Sequence, residues 1–214
     1  MDIQNNTPRI DNWAIEDDKE TIEKIRLTMP DLAWISEEHL TRLLRMAYFD
    51  DLTGLANRVL FRERMEQAIA RSKRSGSVGV LLFIDLDNFK FVNDNYGHLT
   101  GDHILKNVGH RLINSIRPND TAARLGGDEF VISIFDLDPK VTSETLVGEK
   151  IAERILSHLS EPIGEEKIVV TASIGISIFN AYTESIDEVL KNADSAMYEA
   201  KKNVKRYTWG KDTN

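Results

Sequence analysis

Apolar residues recur along this chain with two different periods, and the period changes mark its elements. From Ala14 to Met29 acidic and apolar residues mix at loose helical spacing, with Ile15, Ile22 and Ile25, and Met29-Pro30 ends that helix. Ser36 then reads as an N-cap, with Glu37 and Glu38 at the positive end of a helix dipole. Leu40, Leu43, Leu44 and Ala47 follow as an apolar stripe. Residues 58–74 predict an amphipathic helix with Phe61, Met65, Ala68 and Ile69 inward, broken at Ser75-Gly76-Ser77. Val78 to Leu86 is almost continuously apolar, the pattern of a strand covered on both faces. A short helix over 88–95, closed by Gly97, precedes a longer one over 101–116 that carries Ile104, Leu105, Val108, Leu112 and Ile116 on one side. Arg117-Pro118-Asn119-Asp120 is a turn. Thr121–Leu125 and Phe130–Phe135, separated by Gly126-Gly127-Asp128-Glu129, read as a hairpin. A helix over 142–158, a β-branched strand over 167–178, a helix over 186–202 and a short strand over 206–209 complete the order.

This succession predicts an α+β fold, an α/β sandwich whose mainly antiparallel central sheet is flanked by helices. Residues 1–49 read as a tail and helical appendage or linker, and 50–214 as the main domain. The charge supports that division. The first fifty residues hold 11 acids and 6 bases, whereas the whole 214-residue chain has a net charge of −8. An acidic balance argues against general nucleic-acid binding. With no cysteine, disulfide scaffolds, thiolate metal sites and cysteine nucleophiles are excluded. No apolar run approaches the ~20 residues of a membrane span, and the first residues lack the basic and apolar regions of a secretory signal. A cytoplasmic location is the resulting expectation. The histidines at 39, 98, 103, 110 and 158 have no metal-ligand spacing. Trp13 and Trp34 are expected to anchor the N-terminal helices and Trp209 to cover a sheet edge.

The acids carry the candidate chemistry. Asp85 and Asp87 end the buried strand, where open sheets bind ligands, and Asp128 and Glu129 sit in the hairpin turn. If the hairpin pairs with the Val78–Leu86 strand, Asp85 and Asp128 come together. Carboxylates so placed repel unless a cation joins them. Mg²⁺, a hard ion that shares oxygen ligands with phosphates, fits, and Mn²⁺ is the alternative. Spacing alone leads to a metal-dependent nucleotide site.

Five stretches, in order, carry a resemblance. They are D-D-L-T-G-L-A-N-R (50–58), F-I-D-L-D-N-F-K-F-V-N-D-N-Y-G-H-L-T-G-D (83–102), R-L-G-G-D-E-F (124–130), T-A-S-I-G-I-S (171–177) and A-D-S-A-M-Y-E-A-K (193–201). Together they resemble the GGDEF-domain diguanylate cyclases over about residues 50–209. The resemblance implies a palm-like, nucleotide-cyclase fold and the condensation of two GTP into cyclic di-GMP and two pyrophosphates by a homodimer. It implies metal ligation by Asp85, the Leu86 carbonyl, Asp128 and Glu129, with Glu129 also a candidate to deprotonate the attacking 3′-hydroxyl. Lys90 would stabilise phosphates, which the backbone at Asn88 and Phe89 would cradle, and Asn93 and Asp102 would read guanine. The family's A-K-x-x-G-R-N is here A-K-K-N-V-K-R (200–206), so Lys201 is kept while Val204 and Lys205 replace the glycine and the phosphate-binding arginine. Arg117 and Asp120 match the family's R-x-x-D product-inhibition site, and Arg154 matches an arginine often supplied to it by a neighbouring domain. A catalytically silent cyclic di-GMP receptor using Arg117 and Asp120, and a different nucleotidyl transfer on the same fold, are the competing readings.

Overall fold

Val78–Leu86 (β1) is apolar at nearly every position because helices cover both of its faces. The computed structural model describes Ile22, Glu23, Leu27 and residues 35–138, 143–203 and 206–210. Among them, β1 lies at the centre of a sheet with β2 (Thr121–Gly126), β3 (Glu129–Leu137), β4 (Ala172–Phe179) and β5 (Tyr207–Trp209), in the order β2-β3-β1-β4-β5. All neighbours are antiparallel except β4 and β5, which are parallel.

The two-residue period of β1 sorts its side chains into two cores. Val80, Leu82 and Ile84 face α4 (His98–Asn114) and α5 (Glu144–Leu159), meeting Ile104, Val108, Ile151 and Ile155. Leu81 and Phe83 face α2 (Arg58–Ser75) and α6 (Ile186–Lys202), meeting Phe61, Met65, Val189 and Met197. The α6 backbone comes so close to β4 that a Cβ on Gly175 would strike Ala193 O and Met197 N. The expected α/β sandwich is the observed one.

Local signals set most element ends. Asn57 Oδ1 accepts from Val59 N and Leu60 N at the start of α2, and Gly76 closes it with a φ of 72°. In α1 (Glu37–Tyr48), Ser36 caps as predicted. The stripe behind it is mostly uncovered: Leu40 is buried, whereas Leu43 and its neighbour Met46 are 54% and 60% exposed. One buried leucine is worth about 2 kcal/mol, so α1 is only lightly held by the described residues. The helix expected over Ala14–Met29, and Trp13 and Trp34, fall almost wholly outside them.

Two boundaries differ from expectation by three residues or more. Helix α4 begins at His98, not residue 101, because Gly97, with a φ of 83°, turns the chain sharply between two helices. Its N–H closes α3 (Phe89–Tyr96) on Asn93 O, and its carbonyl accepts from Gly101 N. Strand β4 begins at Ala172, not Lys167, because Lys167 has a φ of 51° and belongs to a turn in which Ile163 and Ile168 exchange backbone hydrogen bonds of 2.8 and 3.0 Å. Trp209 packs over Gly148 and donates to Glu149, covering β5 from the α5 side.

Candidate active site

The antiparallel register sets Asp85 of β1 directly opposite Glu129 of β3. Both side chains therefore leave the same face of the sheet. Asp128 is beside them, its carbonyl accepting from Leu86 N at 3.4 Å. Burial pushes the Asp85 carboxyl above its ordinary range, and the Asp128 and Asp87 charges add to this, outweighing the Lys201 ammonium. Glu129 is also raised, first by burial and then by Asp85, Asp194 and Asp128. Lys201 Nζ sits 2.6 Å from Asp85 Oδ1. Burial alone would lower the Lys201 ammonium, but Asp85, Asp87 and Asp128 raise it. The cluster thus holds excess negative charge and already draws in one cation.

Among the described residues no three His, Cys, Asp or Glu side chains form a self-sufficient metal cage. That suits Mg²⁺, which binds through one or two carboxylates and completes its shell with phosphate and water oxygens. Asp85, Asp128 and Glu129, with the Leu86 carbonyl at the strand end, are a fitting hard-oxygen set. Asp87 does not join them: its oxygens accept from Thr171 Oγ1 and Ser173 Oγ, both at 2.8 Å. It ties the end of β1 to β4.

Immediately after Asp87 the chain turns through Asn88, which has a φ of 57° and starts α3 without a side-chain cap. The first N–H groups of α3, from Phe89 and Lys90 onward, have no intrahelical acceptor and suit an anion. Lys90 is exposed here and Phe89 is buried beneath. A neighbouring cleft of about 400 Å³ is walled by Asp87, Asn88, Ser173, Lys201 and Arg206. Lys205 lies outside the described residues. At the other end of α3, the Gly97 turn brings half-buried Asn93 against Gly101, next to exposed Asp102.

A clamp that the sequence did not reveal fixes the acidic turn. Arg124 donates through Nε and Nη2 to Gly127 O, at 2.9 and 2.7 Å, and through Nη1 to both oxygens of Asp50, at 3.1 and 3.2 Å. Asp50 also accepts from Thr53 N and Thr53 Oγ1 at 2.8 and 2.6 Å. Burial alone would raise the Asp50 carboxyl, but the bonds from Thr53 and Arg124 outweigh it and hold it low. Asp50→Ala is expected to cost about 1–3 kcal/mol, measured by denaturant unfolding. Because the folded-state value is depressed, this contribution is present above the ordinary carboxylate value of 3.8 and is lost as the pH falls through the lowered one. The gap between parent and variant should therefore close in acid; a gap independent of pH contradicts the clamp.

The turn after α4 gathers the three remaining candidates in one chain. Asp120 is 4% exposed and its Oδ2 accepts from Arg117 N at 2.9 Å. Burial raises its carboxyl against the opposing charges of Arg117 and Arg154. Arg154, on α5, donates to Ser115 O of this same turn.

The family profile for "Diguanylate cyclase, GGDEF domain" matches residues 47–206, a span that contains every site residue above. The chain belongs to the GGDEF family. The bifunctional diguanylate cyclase/cyclic di-GMP phosphodiesterase MucR of Pseudomonas aeruginosa is 41% identical over 161 residues, 74% of this chain and 23% of that protein. Diguanylate cyclase DgcS of Shewanella oneidensis is 37% identical over 155 residues, 72% of this chain and 50% of that protein. The chain thus spans half or less of these curated relatives. The crystal structure of the coiled coil and GGDEF domain of DgcB from Caulobacter crescentus, in complex with c-di-GMP, superposes with a TM-score of 0.71 at 27% identity, covering 92% of this chain and 96% of that one.

In this GGDEF domain the structure draws Asp85, Asp128, Glu129 and Lys201 together and sets the α3 N-terminus beside them. Asn93 and Asp102 lie at the far end of the α3 turn, and Arg117, Asp120 and Arg154 form a separate group. Sequence reasoning missed Asp194 and Arg58, which bear electrostatically on Glu129. It also missed Arg206, which shares the cleft wall with Lys201.

Proposed function

We propose that residues 50–214 form a cyclase domain that condenses two GTP into cyclic di-GMP and two pyrophosphates, with residues 1–49 as a tail and helical linker. The observation that carries this reading is the Asp85–Glu129 pair, facing each other across β1 and β3 beside Asp128 and next to the uncapped start of α3. Mg²⁺, or Mn²⁺ in its place, held by Asp85, the Leu86 carbonyl, Asp128 and Glu129, would lower the pKa of the 3′-hydroxyl and offset charge at the α-phosphate. The α3 amides near Asn88 and Phe89, with Lys90, Lys201 and Lys205, hold the phosphates. Asn93 and the Asp102 carboxylate read the base, because guanine offers N–H donors where adenine offers an acceptor. A carboxyl with a raised pKa, such as Glu129, suits acceptance of the hydroxyl proton. The 3′-oxygen bonds to the partner's α-phosphorus, the bond to the bridging oxygen breaks, and pyrophosphate leaves. Incubation with GTP and MgCl2, followed by mass identification of products, tests the reading. Binding of cyclic di-GMP without synthesis would favour the silent receptor, and another nucleotide product would favour a different transfer.

Two bonds must form between two nucleotides, each 3′-hydroxyl facing the other's α-phosphate. With one acidic cluster per domain, the productive species is a two-fold pair of domains. Exposed Leu43 and Met46 of α1 offer an apolar seam for holding that pair. Specific activity should therefore rise with protein concentration in dilute solution, and removing residues 1–46 should make the dependence steeper. Activity proportional to enzyme in a sample that sediments as monomer throughout would refute the pair.

A further inference from the structure

We infer that Gly101, which touches no substrate, is a positioning residue for the base pocket: the missing side chain at 101 is the space in which the Asn93 amide is seated. Resting on the cyclase reading, this adds a residue to the guanine-recognition machinery. A Cβ on Gly101 would fall on Asn93 Oδ1 itself, 3.0 Å from Asn93 Cγ and 3.3 Å from Phe89 Cζ. Gly101 lies inside α4 and is buried, with its N–H bonded to Gly97 O at 3.1 Å. Its backbone is ordinary helix, so no left-handed conformation calls for glycine here. Glycine inside a helix is otherwise unfavourable, and the occupied space is what accounts for it. The Asn93 amide has no hydrogen-bond partner among the described residues, so its orientation rests on packing against α4. Its polar groups are consequently unspent and available to a base. The same contact fixes the spacing of α3 and α4, and hence of Asn93 from Asp102.

The test is a double-mutant cycle in the full chain. Gly101→Ala should raise the KM for GTP at least tenfold while kcat at saturating GTP changes less than threefold. Asn93→Ala should do the same. In the Asn93→Ala background the clash with the amide is gone and only the 3.3 Å contact with the Phe89 ring remains, so Gly101→Ala should add less than twofold. Gly109→Ala, on the same helix and facing Thr53 and Leu55, should leave the KM for GTP unchanged. Melting curves accompany each variant. If Gly101→Ala does not fold, the double variant must fold and match Asn93→Ala. The inference is overturned if Gly101→Ala leaves KM unchanged, if it multiplies KM equally in both backgrounds, or if the double variant also fails to fold. Calorimetric binding of GTP and product formation by the unsubstituted protein separate this outcome from failure of the cyclase reading itself.

Discussion

Asp128→Ala is expected to lower cyclic di-GMP synthesis by at least about a thousandfold, the scale of several kcal/mol of lost charge stabilisation at the reacting phosphate. The fold should survive. What holds the turn is backbone, through Leu86 N to Asp128 O, and the Arg124 fork on Gly127 O, neither of which involves the Asp128 side chain. Stability should even rise slightly near neutral pH. The Asp128 charge helps to raise the Asp85 and Glu129 carboxyls. A raised carboxyl contributes stability fully present below its unfolded value and lost as the pH climbs through the folded one. Removing Asp128 relieves part of that loss above the ordinary carboxylate range and changes nothing well below it. Melting temperatures of parent and variant across pH, taken beside product assays, read both effects. Near-normal product formation would remove Asp128 from the reaction, and a large loss of stability would mean that the turn depends on its carboxylate. An inactive but equally or more stable variant is what a site held against its own charge repulsion gives.

The central strand and the acidic hairpin were legible because their signals are local. Nine nearly apolar residues between the Ser75-Gly76-Ser77 break and Asp87-Asn88 read as a strand covered twice, and two glycines followed by two acids read as a turn. From these the meeting of Asp85 and Asp128 follows by pairing alone. The Arg124–Asp50 clamp was not legible, because its partners are 74 positions apart and each is an ordinary surface charge in isolation. Asp87 was ambiguous for a related reason. Spacing sets it beside Asp85, but only the register of β4 shows that Thr171 and Ser173 claim both its oxygens. The early start of α4 and the late start of β4 depend on single backbone conformations, at Gly97 and Lys167. Hydrophobic periodicity does not report φ. Arg154, matched to an arginine often supplied by a neighbouring domain, donates to Ser115 O of its own chain, a contact that spacing does not report.

Product inhibition should separate from catalysis in Arg117→Ala. The turn and the acidic cluster lie at opposite ends of β2, Thr121–Gly126, a separation of about 17 Å at strand rise. A substitution at one end need not disturb the other. Arg117 is exposed, and the bond it gives Asp120 comes from its backbone N–H, which alanine keeps. Asp120 is a poorer probe. At 4% exposure its carboxylate caps the turn, so its removal mixes loss of the ligand contact with loss of the turn. An arginine fork on a phosphate is worth about 1.5–3 kcal/mol, so the inhibition constant for cyclic di-GMP should rise about 10- to 100-fold. Initial rates without product should be unchanged. Arg154→Lys gives the companion measurement. Lysine keeps the charge near Asp120 but loses the fork, so inhibition should weaken with the turn still charged. If cyclic di-GMP instead inhibits by occupying the GTP site, Arg117→Ala will remain as sensitive as the parent and inhibition will be relieved by raising GTP. That pair of results would assign Arg117, Asp120 and Arg154 to holding the α4–β2 turn against α5 and to nothing more.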